Sequence, residues 1–125
     1  MIELTDLTKT YGGFTAVDRI SLSVHPGEIF GFIGPNGAGK TTTIKMMGGV
    51  LAPTAGGVAV CGIDLQTAPE EAKRRIGFIP DRPYLYEKLT GMEFLKFTAD
   101  IYDVPAPVFP DKAAAVLQQF ALADW

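Results

Sequence analysis

Apolar and polar positions alternate at two places near the start of the chain. Ile2, Leu4 and Leu7 stand among Glu3, Thr5, Asp6 and Thr8, which predicts a short strand and then a bend. Ile20, Leu22 and Val24 alternate with Ser21 and Ser23, the period of two expected of a half-buried strand. Pro26-Gly27 marks a turn. Glu28 to Ile33 is then apolar at nearly every position. That predicts a strand covered on both faces, as in the middle of a parallel sheet. A glycine-rich loop follows from Gly34 to Gly39, and Lys40 to Met47 is predicted to be a helix that stops at Gly48-Gly49.

Beyond it, Pro53 to Gly57 predicts a turn, Val58 to Val60 a strand, and Gly62-Ile63-Asp64 a turn out of that strand. Pro69 to Arg75 has the pattern of a short charged helix, and Ile76 to Ile79 that of a short strand ended by Pro80. Thr90-Gly91-Met92-Glu93 fits a capping box, in which Thr90 and Glu93 satisfy each other's free backbone N–H groups. Leu95, Phe97, Thr98, Ile101 and Tyr102 follow, so much of that helix is expected to be buried. The proline-rich stretch from Val104 to Pro110 is linker-like. Asp111 is expected to cap a last helix with Val116, Leu117, Phe120 and Ala121 as its apolar stripe. The order is strands, then a phosphate-loop βα unit, then helices, with a boundary near Pro80 to Pro83.

Composition narrows the classes. A chain of 125 residues is one domain or a piece of one. With 47% hydrophobic and 20% charged residues, there is enough apolar surface to exclude bulk disorder. Eleven basic and 14 acidic residues give net −3, so the basic footprint of a nucleic-acid binder is missing and nucleic acid is not expected as a partner. One cysteine, Cys61, excludes an internal disulfide framework or a cysteine-rich metal site. At a strand end it is expected to be a small buried residue. His25, just before Pro26-Gly27, is expected in a solvated turn. Apolar runs such as Ile29 to Ile33 and Val58 to Val60 fall far short of the roughly 20 residues that cross a bilayer. The N-terminus lacks the basic-then-apolar order of a signal peptide. Any membrane role is expected to go through a partner, without direct insertion.

The chemistry lies in Gly34-Pro35-Asn36-Gly37-Ala38-Gly39-Lys40-Thr41, which matches G-x-x-x-x-G-K-[ST] at every position. Glycines allow the backbone to turn through unusual dihedrals. Consecutive N–H groups then face one cavity, and the following helix presents its positive end to the same anion. Lys40 is expected to reach the β- and γ-phosphates, and the Thr41 hydroxyl to bind Mg²⁺. Thr42 adds a donor near the α-phosphate. A buried strand before the loop and a helix after it are the context this motif requires.

With the loop placed, its surroundings resemble the ATP-binding cassette family, the nucleotide-binding subunits of ABC transporters. Leu7-Thr8-Lys9-Thr10-Tyr11-Gly12 is similar to the family's aromatic A-loop, and Ala16-Val17-Asp18-Arg19-Ile20-Ser21-Leu22 to the strand after it. Pro26-Gly27-Glu28 and Pro53-Thr54-Ala55-Gly56-Gly57 resemble the turns before the phosphate-loop strand and the next strand. Gly31-Phe32-Ile33-Gly34-Pro35-Asn36, with three threonines after Lys40, is most similar to cassettes of ABC-2-type exporters. The resemblance implies an α/β fold: a P-loop NTPase-type core with an N-terminal antiparallel β subdomain over residues 1–82, and the start of an α-helical subdomain over 83–125. It implies Mg-ATP as ligand and export as the function. It also implies a transmembrane permease and a second cassette as partners, and a place in the cytoplasm, peripheral on the cytoplasmic face of the membrane. Tyr11, 23 positions before Gly34, is assigned to stacking on adenine, and Val17 to flanking the adenine or ribose. Asp81 stands where the family has a metal-sensing glutamine, and a carboxylate there is a hard oxygen ligand for Mg²⁺. As a turn residue before Arg82-Pro83, it has a structural reading too.

The family's signature motif, its Walker B strand with the catalytic glutamate, and its switch histidine do not occur in these 125 residues. The chain is expected to stop just short of the signature. It is then expected to bind Mg-ATP weakly and to turn it over barely, since hydrolysis needs a group to place water and metal support for developing charge. An unpaired Ile29 to Ile33 edge is expected to self-associate, swap strands or be unusually dynamic. Three other readings stay open: a nucleotide-binding fragment without turnover, a non-transport cassette, and a small-molecule kinase. The strand-rich segment before the loop argues against the last. Arg82-Pro83-Tyr84-Leu85-Tyr86 offers a docking surface for the permease, or packs on the Thr90 helix.

Overall fold

The computed structural model describes residues 1–83 and 85–123. The chain divides into two compact units, Met1–Ile79 and Pro80–Trp125. The first is built on a hairpin. Strand β1 (Ile2–Tyr11) and strand β2 (Phe14–Val24) pair antiparallel from Ile2 opposite Val24 to Tyr11 opposite Phe14. Gly12-Gly13 makes the two-residue turn, with Gly12 at φ 57°, the positive φ that such tight hairpins require. The other edge of β1 takes β3 (Ala55–Val60), and a two-residue β4 (Ile63–Asp64) pairs with β3. The strand order is β2-β1-β3-β4.

The alternation seen in the sequence selects the buried face. Leu4, Leu7, Val17, Val58 and Val60 are buried, with Ile2, Ile20 and Leu22 packed around them. β1 is longer than expected. The predicted bend is absorbed inside one strand as irregular register between Leu4 and Leu7, where Asp6 takes φ 45°. Its N–H donates to the Ser21 hydroxyl at 2.9 Å, so the kinked backbone keeps a partner.

Helix α1 (Lys40–Met47) has the predicted bounds and lays Thr43 and Met46 into the same core. Gly48 and Gly49 end it. Gly49 is at φ 66°, and the Val50 N–H returns to the Lys45 carbonyl at 2.9 Å, a left-handed stop of the kind glycine favours. Helix α2 (Pro69–Lys73) contributes buried Ala72. The turn before it is organised by Asp64, which accepts from the Gln66 and Thr67 N–H groups, each at 2.8 Å. Those two bonds, Thr67's first, hold its carboxyl below the ordinary aspartate range.

Several expectations are corrected in this unit. Glu28 to Ile33 and Ile76 to Ile79 form no strand among the described residues. A strand needs a partner strand as well as an apolar sequence, and among the described residues no strand pairs with either segment. Ile29 and Ile33 stand open at 101% and 97% exposure, the reverse of a strand covered on both faces. The residues read as a turn after Val60 instead pair: Ile63 lies opposite Val60, and Asp64 opposite Ala59. The turn itself is Cys61-Gly62, so Cys61 is exposed at φ 52° and not buried. His25 does lie in an exposed turn, where its N–H donates to the Glu28 carboxylate at 2.8 Å.

The second unit contains α3 (Gly91–Ile101) and α4 (Phe109–Gln119). The capping box forms as predicted. The Thr90 hydroxyl accepts from the Glu93 N–H at 3.3 Å, and the Glu93 carboxylate accepts from the Thr90 N–H at 2.8 Å. The burial expected of α3 does not: none of its residues is buried, and Ile101 is 59% exposed. In α4 the cap is Val108, and Asp111 is the third residue of the first turn. Pro110, pre-set for the first helical turn, starts the helix earlier than Asp111 would. Of α4 only Ala113 is buried, and Val116 and Phe120 are exposed.

Candidate functional site

The loop between Gly34 and Gly39 is held by its own backbone. The Ala38 N–H donates to the Pro35 carbonyl at 3.3 Å. Gly37 and Gly39 sit at φ 85° and 83°, where L side chains are disfavoured. Gly39 is constrained twice. A Cβ added there would lie 2.4 Å from the Ala16 carbonyl oxygen and 3.1 Å from Val17 Cγ2. The loop thus rests directly on β2, and Gly39 caps α1. Thr43 closes the junction, its N–H and hydroxyl both donating to the Gly39 carbonyl, at 2.8 and 3.0 Å.

Lys40 folds back over this loop. Its ammonium donates to the Gly34 carbonyl at 2.5 Å and the Pro35 carbonyl at 2.6 Å. The first turn of α1 carries no acidic residue, and Lys45 lies in its last turn. The positive end of the helix dipole is therefore left uncompensated at the loop.

The hairpin brings a second wall. Tyr11 ends β1 at 48% exposure, with the Lys9 ammonium 5.3 Å from the centre of its ring, within cation–π range. The same ammonium donates to the Ala52 carbonyl at 2.7 Å. Tyr11, Phe14 and Ala16 from the hairpin, and Asn36, Gly37, Gly39, Lys40, Thr41 and Thr42 from the loop and helix, line one cleft of about 350 Å³. The cleft thus joins the end of the hairpin to the second half of the loop and the start of α1. Gly34, Pro35 and Ala38 complete the loop off the cleft wall. Val17 is 3% exposed and lies in the core beneath Gly39. Asp81 is exposed and belongs to the second unit.

Phe14 and Ala16 were not singled out from the sequence. The signal for Phe14 was available: Gly12-Gly13 between two strand-like runs predicts a hairpin, and a two-residue turn sets position 11 opposite position 14. Tyr84, in the segment with docking character, lies outside the described residues. Tyr86, from the same segment, packs on α3, with its ring 5.4 Å from that of Phe97 and 6.4 Å from that of Phe94. For Mg²⁺, the fitting donor on the cleft is the hard hydroxyl oxygen of Thr41. Among the described residues no cluster of three or more His, Cys, Asp or Glu is placed to hold a metal. One protein oxygen completed by phosphate oxygens and water is a usual arrangement for this ion.

Comparison with known proteins gives a consistent answer. The family model described as "ABC transporter" matches residues 17–125. The probable multidrug ABC transporter ATP-binding protein YbhF of Escherichia coli (strain K12) is 39% identical over 122 residues, 98% of this chain and 21% of that protein. The bacitracin transport ATP-binding protein BcrA of Bacillus licheniformis is 43% identical over 104 residues, 83% of this chain and 34% of that protein. A solved ATP-binding subunit of an ABC transporter superposes with a TM-score of 0.87 at 34% identity, over 98% of this chain and 51% of that one. The ATP-binding cassette MJ0796, solved as a dimer in a post-hydrolysis state bound to ADP and Pi, gives 0.72 at 28% identity, over 82% of this chain and 48% of that one. The chain therefore spans at most 34% of these two curated relatives and at most 51% of these two solved chains.

Proposed function

The chain belongs to the ABC transporter family of ATP-binding proteins, and on that premise we propose that it is the ATP-binding portion of an ATPase that powers transmembrane export. The observation that carries the reading is the single cleft joining the Lys40 loop to Tyr11. Backbone N–H groups of the loop and the N-terminus of α1 take the β- and γ-phosphates. Lys40 exchanges its two carbonyl partners for phosphate oxygens. Thr41 holds Mg²⁺, which neutralises phosphate charge when bound, and Thr42 reaches the α-phosphate side. Tyr11 offers its face to adenine, and Val17, buried beneath Gly39, supports the loop from the core. Asp81 takes the metal-sensing position.

Residues 1–82 form the nucleotide-binding part and 83–125 the start of the helical part that meets the permease. None of the cleft residues is an aspartate, glutamate or histidine, so none can activate water as a carboxylate or imidazole does. The chain therefore binds far better than it turns over. In the membrane-bound assembly a permease and a second cassette complete it, and the chain sits peripherally on the cytoplasmic face. Among the described residues no helix is long and apolar enough to cross a membrane.

Calorimetric titration of Mg-ATP into the 125-residue chain and into Lys40→Ala tests this. Wild type is expected to saturate, and the variant to bind about tenfold more weakly or worse, the scale of losing a charge-assisted hydrogen bond. Identical isotherms overturn the assignment of the loop. Turnover as fast as that of a complete cassette, and lost in Lys40→Ala, overturns the claim about catalysis.

A further inference from the structure

Phe14 is 64% exposed and belongs to no part of the core. Exposure alone is ordinary for a surface hydrophobic, and it is the neighbours of Phe14 that give it a place. It lies opposite Tyr11 in register, and both side chains line the cleft above the Lys40 loop. Directly opposed residues on antiparallel strands point to the same face of the sheet. The Gly12-Gly13 turn fixes that opposition. Lys9, which is not on the cleft, tethers to the Ala52 carbonyl and stands over the Tyr11 ring, so Tyr11 is held from behind.

We propose that Phe14 is a second aromatic contact for the nucleotide base, so that the tip of the hairpin grips a flat heteroaromatic ring with two side chains. This rests on the nucleotide-binding reading above and deepens it. Aromatic faces bind any base by stacking, and each such contact contributes measurably when removed. The pair therefore serves the base alone and is indifferent to the phosphates, which the loop and Lys40 hold.

The test titrates the full chain and three variants, Phe14→Ala, Phe14→Leu and Phe14→Trp, with Mg-ATP and with Mg-tripolyphosphate, which has no base. Circular dichroism verifies that each variant is folded. Phe14→Ala and Phe14→Leu are expected to weaken Mg-ATP about fivefold or more and to leave tripolyphosphate unchanged, while Phe14→Trp retains the wild-type affinity for Mg-ATP. In a double-mutant cycle with Tyr11→Ala, the two losses are expected to be non-additive, because both rings share one ligand. Unchanged affinity for Mg-ATP in Phe14→Ala overturns the proposal, as does equal weakening toward both probes, which marks a structural role. If wild type binds tripolyphosphate through Lys40 but gains nothing from the base, the Phe14 assignment fails and the phosphate cradle stands. If wild type binds neither probe, both readings fall.

Discussion

Gly39 carries the tightest constraint of any residue at the site. It is in a left-handed conformation, and any side chain there collides with the Ala16 carbonyl at 2.4 Å. Gly39→Ala is expected to push the loop off β2, to lower the thermal midpoint, and to abolish Mg-ATP binding. Gly37→Ala, at a similar φ but with open space around it, is expected to cost only about 1 kcal/mol of backbone strain and to keep the fold. Parallel melts and titrations of the two variants check this contrast. The motif itself was legible in the sequence because its chemistry is local, with every part within eight consecutive residues. For Phe14, the Gly12-Gly13 turn offered its place opposite Tyr11, but its exposure on the cleft is a property that residue type does not declare.

At the scale of elements, short-range signals are honoured and long-range ones are not. The capping box of α3 needs only Thr90 and Glu93, and it forms. Thr90→Ala is expected to destabilise the helix by about 1 kcal/mol, seen as lost helical ellipticity on heating. Bonds from the Thr90 backbone and then from its hydroxyl hold the Glu93 carboxyl below the ordinary glutamate range. A depressed folded value means that the unfolded chain binds the proton more readily. The box thus stabilises α3 fully above the ordinary glutamate range and loses that contribution as pH falls through the lower folded value. Glu93→Gln is expected to flatten this acid limb in a pH series of melts. Glu28 to Ile33 and Ile76 to Ile79 show the other side. Their composition suits strands, but pairing is a property of two segments, and no periodicity in one reports the presence of the other. The burial expected of α3 fails for the same reason, since an apolar stripe states what a helix can cover and not what covers it.

At the scale of the molecule, the apolar surface has a solution consequence. Ile29, Ile33 and Ile79 are 101%, 97% and 88% exposed, and open apolar segments with unpaired backbone recruit other chains. The 125-residue chain is expected to sediment as a concentration-dependent mixture, and Ile29→Ser with Ile33→Ser to shift it toward monomer. A single monomeric boundary for wild type at all concentrations is the contrary result. The α/β class and the family were legible at this scale because the family resemblance runs along most of the chain. The placement of the cleft entirely within the first unit has a further consequence, for synthesis. All its lining residues fall between Tyr11 and Thr42, and the strands that brace them are complete by Ile79. Translation proceeds from the N-terminus at about 5–20 residues per second, so the surface proposed to bind nucleotide emerges seconds before the helical unit does. A ligand that binds only the folded form stabilises it by mass action. On the proposed nucleotide-binding reading, nucleotide present during synthesis would stabilise the first unit before the helical unit is complete.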